Sequence, residues 1–335
     1  MTMLVPFVID ADSLVPDPAW TPAQVRTCHE SLLDVWQRIG LLMHDADTFE
    51  NSKLNQAVDQ LPQKLRPLWQ AMLGRMPLRA CGNGWDGTVG TGNVSQLSGN
   101  IPLALVDDAH AEVEFGLAED ELSKPAAGAA DVEVCRIISA GQAHAFQHAF
   151  IQSGIHIEAG DRFSDIWTLR FKSLATAPIK RVITVDRYAV SQHFLCPQTQ
   201  LSGLERFLRL LDQDAEGARH VTLYSAWTAD LSQKNLADVE AELRIAMGRL
   251  ASKNVKRLKI VMVPNAGFRD DGHDRFVRFG EYVWDIGLGL EVFEGAFAAK
   301  RSSASFKTGA PVVGYKRVEA DLAGHPQATA VEVSS

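Results

Sequence analysis

The sequence predicts an α/β protein, and three observations carry that prediction. Short apolar, β-branched runs alternate with stretches whose apolar residues recur every three or four positions, the pattern of strands packed against helices. Two early runs, residues 4–9 and 101–106, stop abruptly at aspartates, as buried strands do when their ends open toward solvent. The chain is 335 residues long, with 46% hydrophobic and 22% charged residues, enough for a large core in one or two domains. That composition excludes wholesale disorder, collagen-like repeats and low-complexity scaffolds.

The elements follow in order. Residues 4–9 read as a strand that delivers Asp10 and Asp12 to its C-terminal end. Pro18, Thr21 and Pro22 open a helix whose stripe is Val25, Cys28, Leu32, Val35, Trp36 and Ile39, with Gly40 near its end. Helices follow over 53–60 and 63–73. Residues 81–99, dense in Gly, Asn and Ser, read as a long loop; their glycines fit neither common phosphate-cradling spacing. The run 101–106 is a second strand ending in Asp107 and Asp108. Residues 125–130, Pro-Ala-Ala-Gly-Ala-Ala, read as a flexible linker.

Beyond it, strands are expected over 132–138, 181–186, 220–226 and 257–263, and helices over 142–152, 163–175, 201–211 and 235–251. After Pro264 the rhythm changes to two strands, 276–283 and 286–293, joined through Trp284 and Asp285. Residues 320–335 read as a flexible tail. The expected organisation is an acidic N-terminal α/β region over 1–125 and a second α/β domain over 131–318 with a mixed, mostly parallel sheet.

The net charge of −8 argues against a surface that binds nucleic acid everywhere, but the charge is uneven. Residues 1–130 hold 8 basic and 17 acidic side chains, so the remainder of the chain is nearly neutral. Cys28, Cys81, Cys135 and Cys196 have no short metal-ligand spacing and read as unpaired thiols of a cytoplasmic protein. The opening residues lack the basic start of a signal peptide, and no apolar run is long enough to span a membrane. The expected location is the cytoplasm.

The most informative stretch is Gly272–Phe293, where His273-Asp274-Arg275 precedes Gly287-x-Gly289-Leu290-x-x-Phe293. Upstream, an apolar strand ends in Asp186-Arg187-Tyr188, followed by a loop containing Gln198 and Gln200 and by an amphipathic helix over 201–211. Together these resemble the phospholipase D-like C-terminal domain of MIT-domain proteins and its bacterial relatives, over about residues 163–293. The resemblance implies a phospho-histidine mechanism in which one histidine attacks phosphorus, a second protonates the leaving oxygen and a cation holds the non-bridging oxygens. In this chain His273 would be the nucleophile, Arg275 the phosphate clamp and Asp274 their neighbour. Arg187, Tyr188 and Arg278 would be further phosphate contacts. This site needs no cofactor. The position five after Arg275, where the wider superfamily has Asp, is Gly280, and Asp285 is the nearest downstream carboxylate. No second motif of this kind exists, so a two-histidine site needs a homodimer or another histidine such as His193.

The N-terminal region is loosely similar to PIN-like nucleases, whose first strand also ends in Asp. Asp10, Asp12, Asp107 and Asp108, with Glu30 or Asp34, would then hold Mg²⁺ or Mn²⁺ for phosphodiester hydrolysis. Arg136, Arg170, Lys172, Lys180, Arg181 and Arg187 form a candidate phosphate-facing groove, with solvated surface as the plainer reading. His144 and His148 sit at metal-binding spacing but without the usual acidic companion. The aromatic residues around Trp167 read as core.

The expected function is that of a phosphodiester-directed effector, a nuclease on DNA or RNA. Bacterial proteins resembling this domain occur in conflict systems, which extends the expectation to antiviral defence with a homo-oligomeric or multi-component partner. The competing expectation is an inactive phospholipase D-like module that binds a partner protein, nucleic acid or anionic lipid.

Overall fold

A computed structural model describes residues 3–15, 19–197, 199–268 and 275–335. The chain forms two compact units, Met1–Gln152 and Ser153–Ser335, both of them α/β.

In the first unit, β1 (Val5–Ile9) leads to α1 (Pro22–Ile39) and β2 (Gly40–His44). Thr21 starts α1 with a reciprocal cap: its hydroxyl accepts from the Gln24 N–H, and the Gln24 side chain accepts from the Thr21 N–H. Then come α2 (Lys53–Gln60), α3 (Arg66–Leu73), β3 (Leu78–Ala80), β4 (Leu103–Val106), α4 (Asp108–Val113), β5 (Ser123–Ala126), β6 (Ala129–Arg136) and α5 (His144–Gln152). The six strands lie in the order β3-β2-β1-β4-β6-β5, all parallel except the edge strand β5. Phe7 at the centre of β1 meets Trp36 of α1 and Phe146 of α5, with ring centroids 6.4 and 5.5 Å apart. The chain starts mid-sheet, builds one edge and then the other, so the strand order reverses between β1 and β4. In such sheets the crevice outside the C-terminal strand ends opens at this reversal.

Two expectations fail in this unit. Residues 125–130 are not a linker: they form the β5–β6 hairpin, with Gly128 at φ +82° in the turn and Ala126 and Ala129 buried. The division between units therefore falls at Gln152/Ser153, after the strand and helix that were expected to open the second domain. The strand β2 was not anticipated, because it follows α1 without a break and all five of its residues are buried, leaving no alternation to read.

The second unit begins with a single helical run: α6 (Phe163–Ile166), a π-turn over Trp167–Phe171 and α7 (Lys172–Thr176). Next are β7 (Arg181–Asp186), α8 (Ala189–Leu195), α9 (Gly203–Asp214), β8 (Arg219–Trp227), α10 (Leu236–Gly248) and β9 (Val255–Pro264). The unit ends with β10 (Arg275–Phe279), β11 (Tyr282–Ile286), β12 (Ala304–Lys307), α11 (Val312–Ala323) and β13 (Thr329–Ser334). The sheet order is β12-β11-β10-β7-β8-β9-β13. Only β7, β8 and β9 are mutually parallel; the flanking strands are antiparallel, so the sheet is mixed with a parallel centre. Trp167 and Phe171 are buried in an aromatic cluster with Phe207 and Phe293, as core residues should be.

The late chain differs from expectation in two ways. Trp284 and Asp285 lie within β11, the tight turn falls at Gly280-Glu281, and Gly289–Phe293 is a 3-10 turn rather than a strand. Residues 320–335 are not a flexible tail but the end of α11 and the edge strand β13, which pairs antiparallel with β9 and buries Val331 and Val333. Val331-Glu332-Val333 carries the alternation of a half-buried strand, a signal that the small residues around it obscure.

Candidate functional site

In the second unit the groups that can meet phosphate gather where β7 ends and β10 begins. Asp186 and Arg275 face each other in the β7–β10 register. The Asp186 carboxylate is 1% exposed and accepts the N–H groups of Tyr188 (3.0 Å) and Leu290 (2.7 Å). It thereby ties the turn after β7 to the start of the Gly289–Phe293 turn. Gly289 has φ +56°, and a Cβ there would overlap the Asp186 carboxylate. The glycine and leucine of the sequence motif thus serve close approach to a buried aspartate.

Above this floor the guanidinium groups of Arg187 and Arg275 both lie over the Tyr188 ring, 5.6 and 4.8 Å from its centroid. Arg187 donates to Asn265 Oδ1 at 2.8 Å, and Arg275 donates to the Gly287 carbonyl at 2.7 Å. The Tyr188 hydroxyl has no partner among the described residues. Two cations beside one ring make a local positive field suited to an anion. His273 and Asp274 lie outside the described residues, immediately before Arg275 in the chain.

Arg278 does not join this cluster. It is nine-tenths buried and forms a bidentate pair with Glu319 of α11, its third contact being the Gly280 carbonyl at 2.6 Å. Its donors are spent within the fold, which contradicts a phosphate role. Asp285 accepts the Tyr315 hydroxyl at 2.7 Å and is equally engaged. His193 on α8 has its Nδ1 2.6 Å from Ser202 Oγ at the start of α9 and its Nε2 4.0 Å from Glu242 Oε2 of α10, so it faces α9 and α10 rather than the arginine cluster.

The other basic candidates are held separately, each within its own unit. Arg136 belongs to the first unit, where it donates to the carbonyls of Asp108, Leu117, Ala118 and Glu121. Arg170 is buried on the carbonyls of Ile155 and His156. Lys172 pairs with Asp214, while Lys180 and Arg181 lie at the end of β7 opposite Arg187.

In the first unit, Asp10 and Asp107 do meet, at the C-terminal ends of β1 and β4 where the strand order reverses. The Ser13 hydroxyl lies 3.0 Å from Oδ2 of each. Asp10 also accepts the Val89 N–H at 3.0 Å and has His110 Nδ1 at 3.5 Å, while Asp107 caps α4 by accepting the His110 N–H at 2.8 Å. Burial pushes the Asp10 carboxyl up, but His110, Val89 and Ser13 together outweigh it and hold it below its ordinary value. The bond to Asp10 raises the His110 imidazole above its ordinary value, against its own burial. The pair is therefore an internal carboxylate–imidazolium contact, and its oxygens are spent on protein donors. Asp12 is exposed and outside this network, Asp108 pairs with Arg136, and Glu30 and Asp34 pair with Arg26 and Arg38 on the surface of α1. Among the described residues, no three His, Cys, Asp or Glu side chains are gathered as a metal centre. As arranged, these carboxylates do not fit Mg²⁺ or Mn²⁺. His144 is exposed and pairs with Glu133.

His110, absent from the sequence reading, is the residue that decides how this corner behaves. A histidine two positions after a strand-end Asp-Asp pair was the available signal. Burial raises the thiols of Cys28 and Cys135, to about 11 and about 12, so neither is an activated nucleophile. Among the described residues no helix is long and apolar enough to cross a membrane. Compared with models of known families and with curated proteins, the chain matches none.

Proposed function

We propose that the chain is a phosphodiester-directed protein acting on nucleic acid, with the second unit holding phosphate through Arg187, Tyr188 and Arg275. The observation that carries this reading is the convergence of two guanidinium groups on one tyrosine ring, with a buried aspartate fixing the loop beneath. In the active form of the proposal, His273 attacks phosphorus: an N–P bond forms, a P–O bond breaks, and the leaving oxygen takes a proton from a second imidazole. Water then cleaves the N–P bond and returns the proton. The second imidazole comes from a homodimer mate, since His193 faces Ser202 and Glu242 instead.

A second reading, a binding module without turnover, is supported by how many motif residues serve the fold: Asp186, Gly289 and Arg278 are all structural. One experiment separates the readings. Labelled single-stranded and duplex DNA and RNA are incubated with the full chain and with His273→Ala, each with and without EDTA. Cleavage that survives EDTA and disappears in His273→Ala is the expected result. Binding without cleavage selects the module, and EDTA-sensitive cleavage that persists in His273→Ala contradicts the His273 mechanism.

A further inference from the structure

The second unit contains a cavity of about 230 Å³ between α8, α9 and α10, away from the arginine cluster in hydrogen-bond connectivity. Pro197 and Ile245 supply apolar walls; His193 and Glu205 form a floor with side chains 10% and 4% exposed; Glu242 and Arg249 stand at the rim, 43% and 50% exposed.

The hydrogen-bond inventory shows what the cavity lacks. Ser202 Oγ accepts the Glu205 N–H at 3.1 Å and lies 2.6 Å from His193 Nδ1. The other ring nitrogen, Nε2, is buried and has no hydrogen-bond partner among the described residues. The nearest acceptor is Glu242 Oε2, at 4.0 Å, too far to be bonded. Arg249 gives only Nη1 to Glu205, at 3.1 Å, leaving Nε and Nη2 uncommitted among the described residues. Glu242 accepts no hydrogen bond there either. An arginine fork, a carboxylate and a buried, unpartnered imidazole nitrogen thus line one mostly polar space, and among the described residues the two rim charges do not pair with each other.

We propose that this cavity binds a guanine base. Guanine is the one common base that sets two neighbouring acceptors, O6 and N7, beside two neighbouring donors, N1–H and the N2 amino group. The Arg249 fork matches the first pair, the Glu242 carboxylate matches the second, and O6 accepts from His193 Nε2 in the tautomer that carries its proton there. Pro197 and Ile245 offer the ring apolar contact. Adenine and cytosine would turn an amino donor toward Arg249, and uracil has no donor pair for Glu242. This assignment rests on the nucleic-acid reading above and gives it a base preference.

The test uses nucleosides, which carry no phosphate for the arginine cluster. The full chain is titrated by calorimetry with guanosine, adenosine, cytidine and uridine, and binding is repeated with Glu242→Gln, Arg249→Met and the Arg187→Ala/Arg275→Ala double variant. Guanosine is expected to bind at least about tenfold more tightly than the others, each rim substitution to weaken it about tenfold or more, and the double variant to bind it unchanged. Thermal melts confirm that the rim variants, altered at half-exposed positions, remain folded. Equal affinities, no guanosine binding, or undiminished binding by folded Glu242→Gln would overturn the assignment. Intact oligonucleotide binding alongside such a failure leaves the phosphodiester reading standing, and loss of oligonucleotide binding in the double variant with guanosine binding retained separates the two sites.

Discussion

Asp10 of the first unit and Asp186 of the second occupy the same kind of place, the C-terminal end of a parallel strand, and both are 1% exposed. Their surroundings differ. Asp10 is met by a protonatable imidazole, a hydroxyl shared with Asp107 and one backbone N–H, so its charge is answered within the unit. Asp186 is bonded by the N–H groups of Tyr188 and Leu290, beneath a tyrosine ring that carries the guanidiniums of Arg187 and Arg275. A strand-end aspartate is therefore not a functional signal in itself. What surrounds it decides: a carboxylate–imidazolium corner at Asp10 in one unit, and an arginine corner with two guanidiniums on one tyrosine ring in the other.

The largest effect is expected from crowding the Asp186 floor. Gly289→Val places a branched side chain at φ +56° against the carboxylate, so strain and overlap add, for a loss of about 3 kcal/mol or more. Denaturant unfolding of the variant measures it. A loss under about 1 kcal/mol would mean that Asp186 is not fixed as described, and the contrast with Asp10 would blur.

Asp10→Ala comes next, leaving Val89 N–H, Ser13 and His110 without their acceptor, for about 2–3 kcal/mol at pH 6. The pH dependence sharpens the comparison. The Asp10 carboxyl is lowered in the folded state, so its contribution is present above the ordinary 3.8 and is lost as pH falls through the folded value. The His110 imidazole is raised, so its contribution is full below the ordinary 6.5 and is lost as pH rises through the folded value. His110→Gln should therefore cost most between these limits and progressively less on the alkaline side. A penalty independent of pH from 5 to 9 would show that the contact is not ionic.

Much of the fold was legible in the sequence because periodicity survives wherever an element has one wet side. The stripe of α1 and the end of β7 at Asp186 were read from such patterns. Fully buried β2 has no wet side, and the short α8 was read as loop because its seven residues hold too few turns to show a stripe. The hairpin at 125–130 was misread because small residues suit a tight turn as well as a linker. Arg187, Tyr188 and Arg275, singled out in the sequence at two separate places, lie together in the structure because β7 and β10 are neighbours. The engagement of Arg278 with Glu319 was not legible, because the partner lies 41 residues away and no local pattern marks it. His110 was missed for the same reason: its importance comes from Asp10, 100 residues earlier in the chain.

The central proposal is that the arginine corner of the second unit, not the Asp10 corner of the first, contacts phosphate. It is tested most directly by fluorescence anisotropy of a labelled single-stranded oligonucleotide titrated with the full chain at a series of salt concentrations. The slope of log affinity against log salt reads the number of phosphates neutralised, at about 0.7 per contact for a single strand. Arg187→Ala/Arg275→Ala is expected to reduce that slope by about 1.4 and weaken binding about a hundredfold at low salt, while Asp10→Asn leaves both unchanged. An identical slope and affinity in the folded double variant would contradict the account.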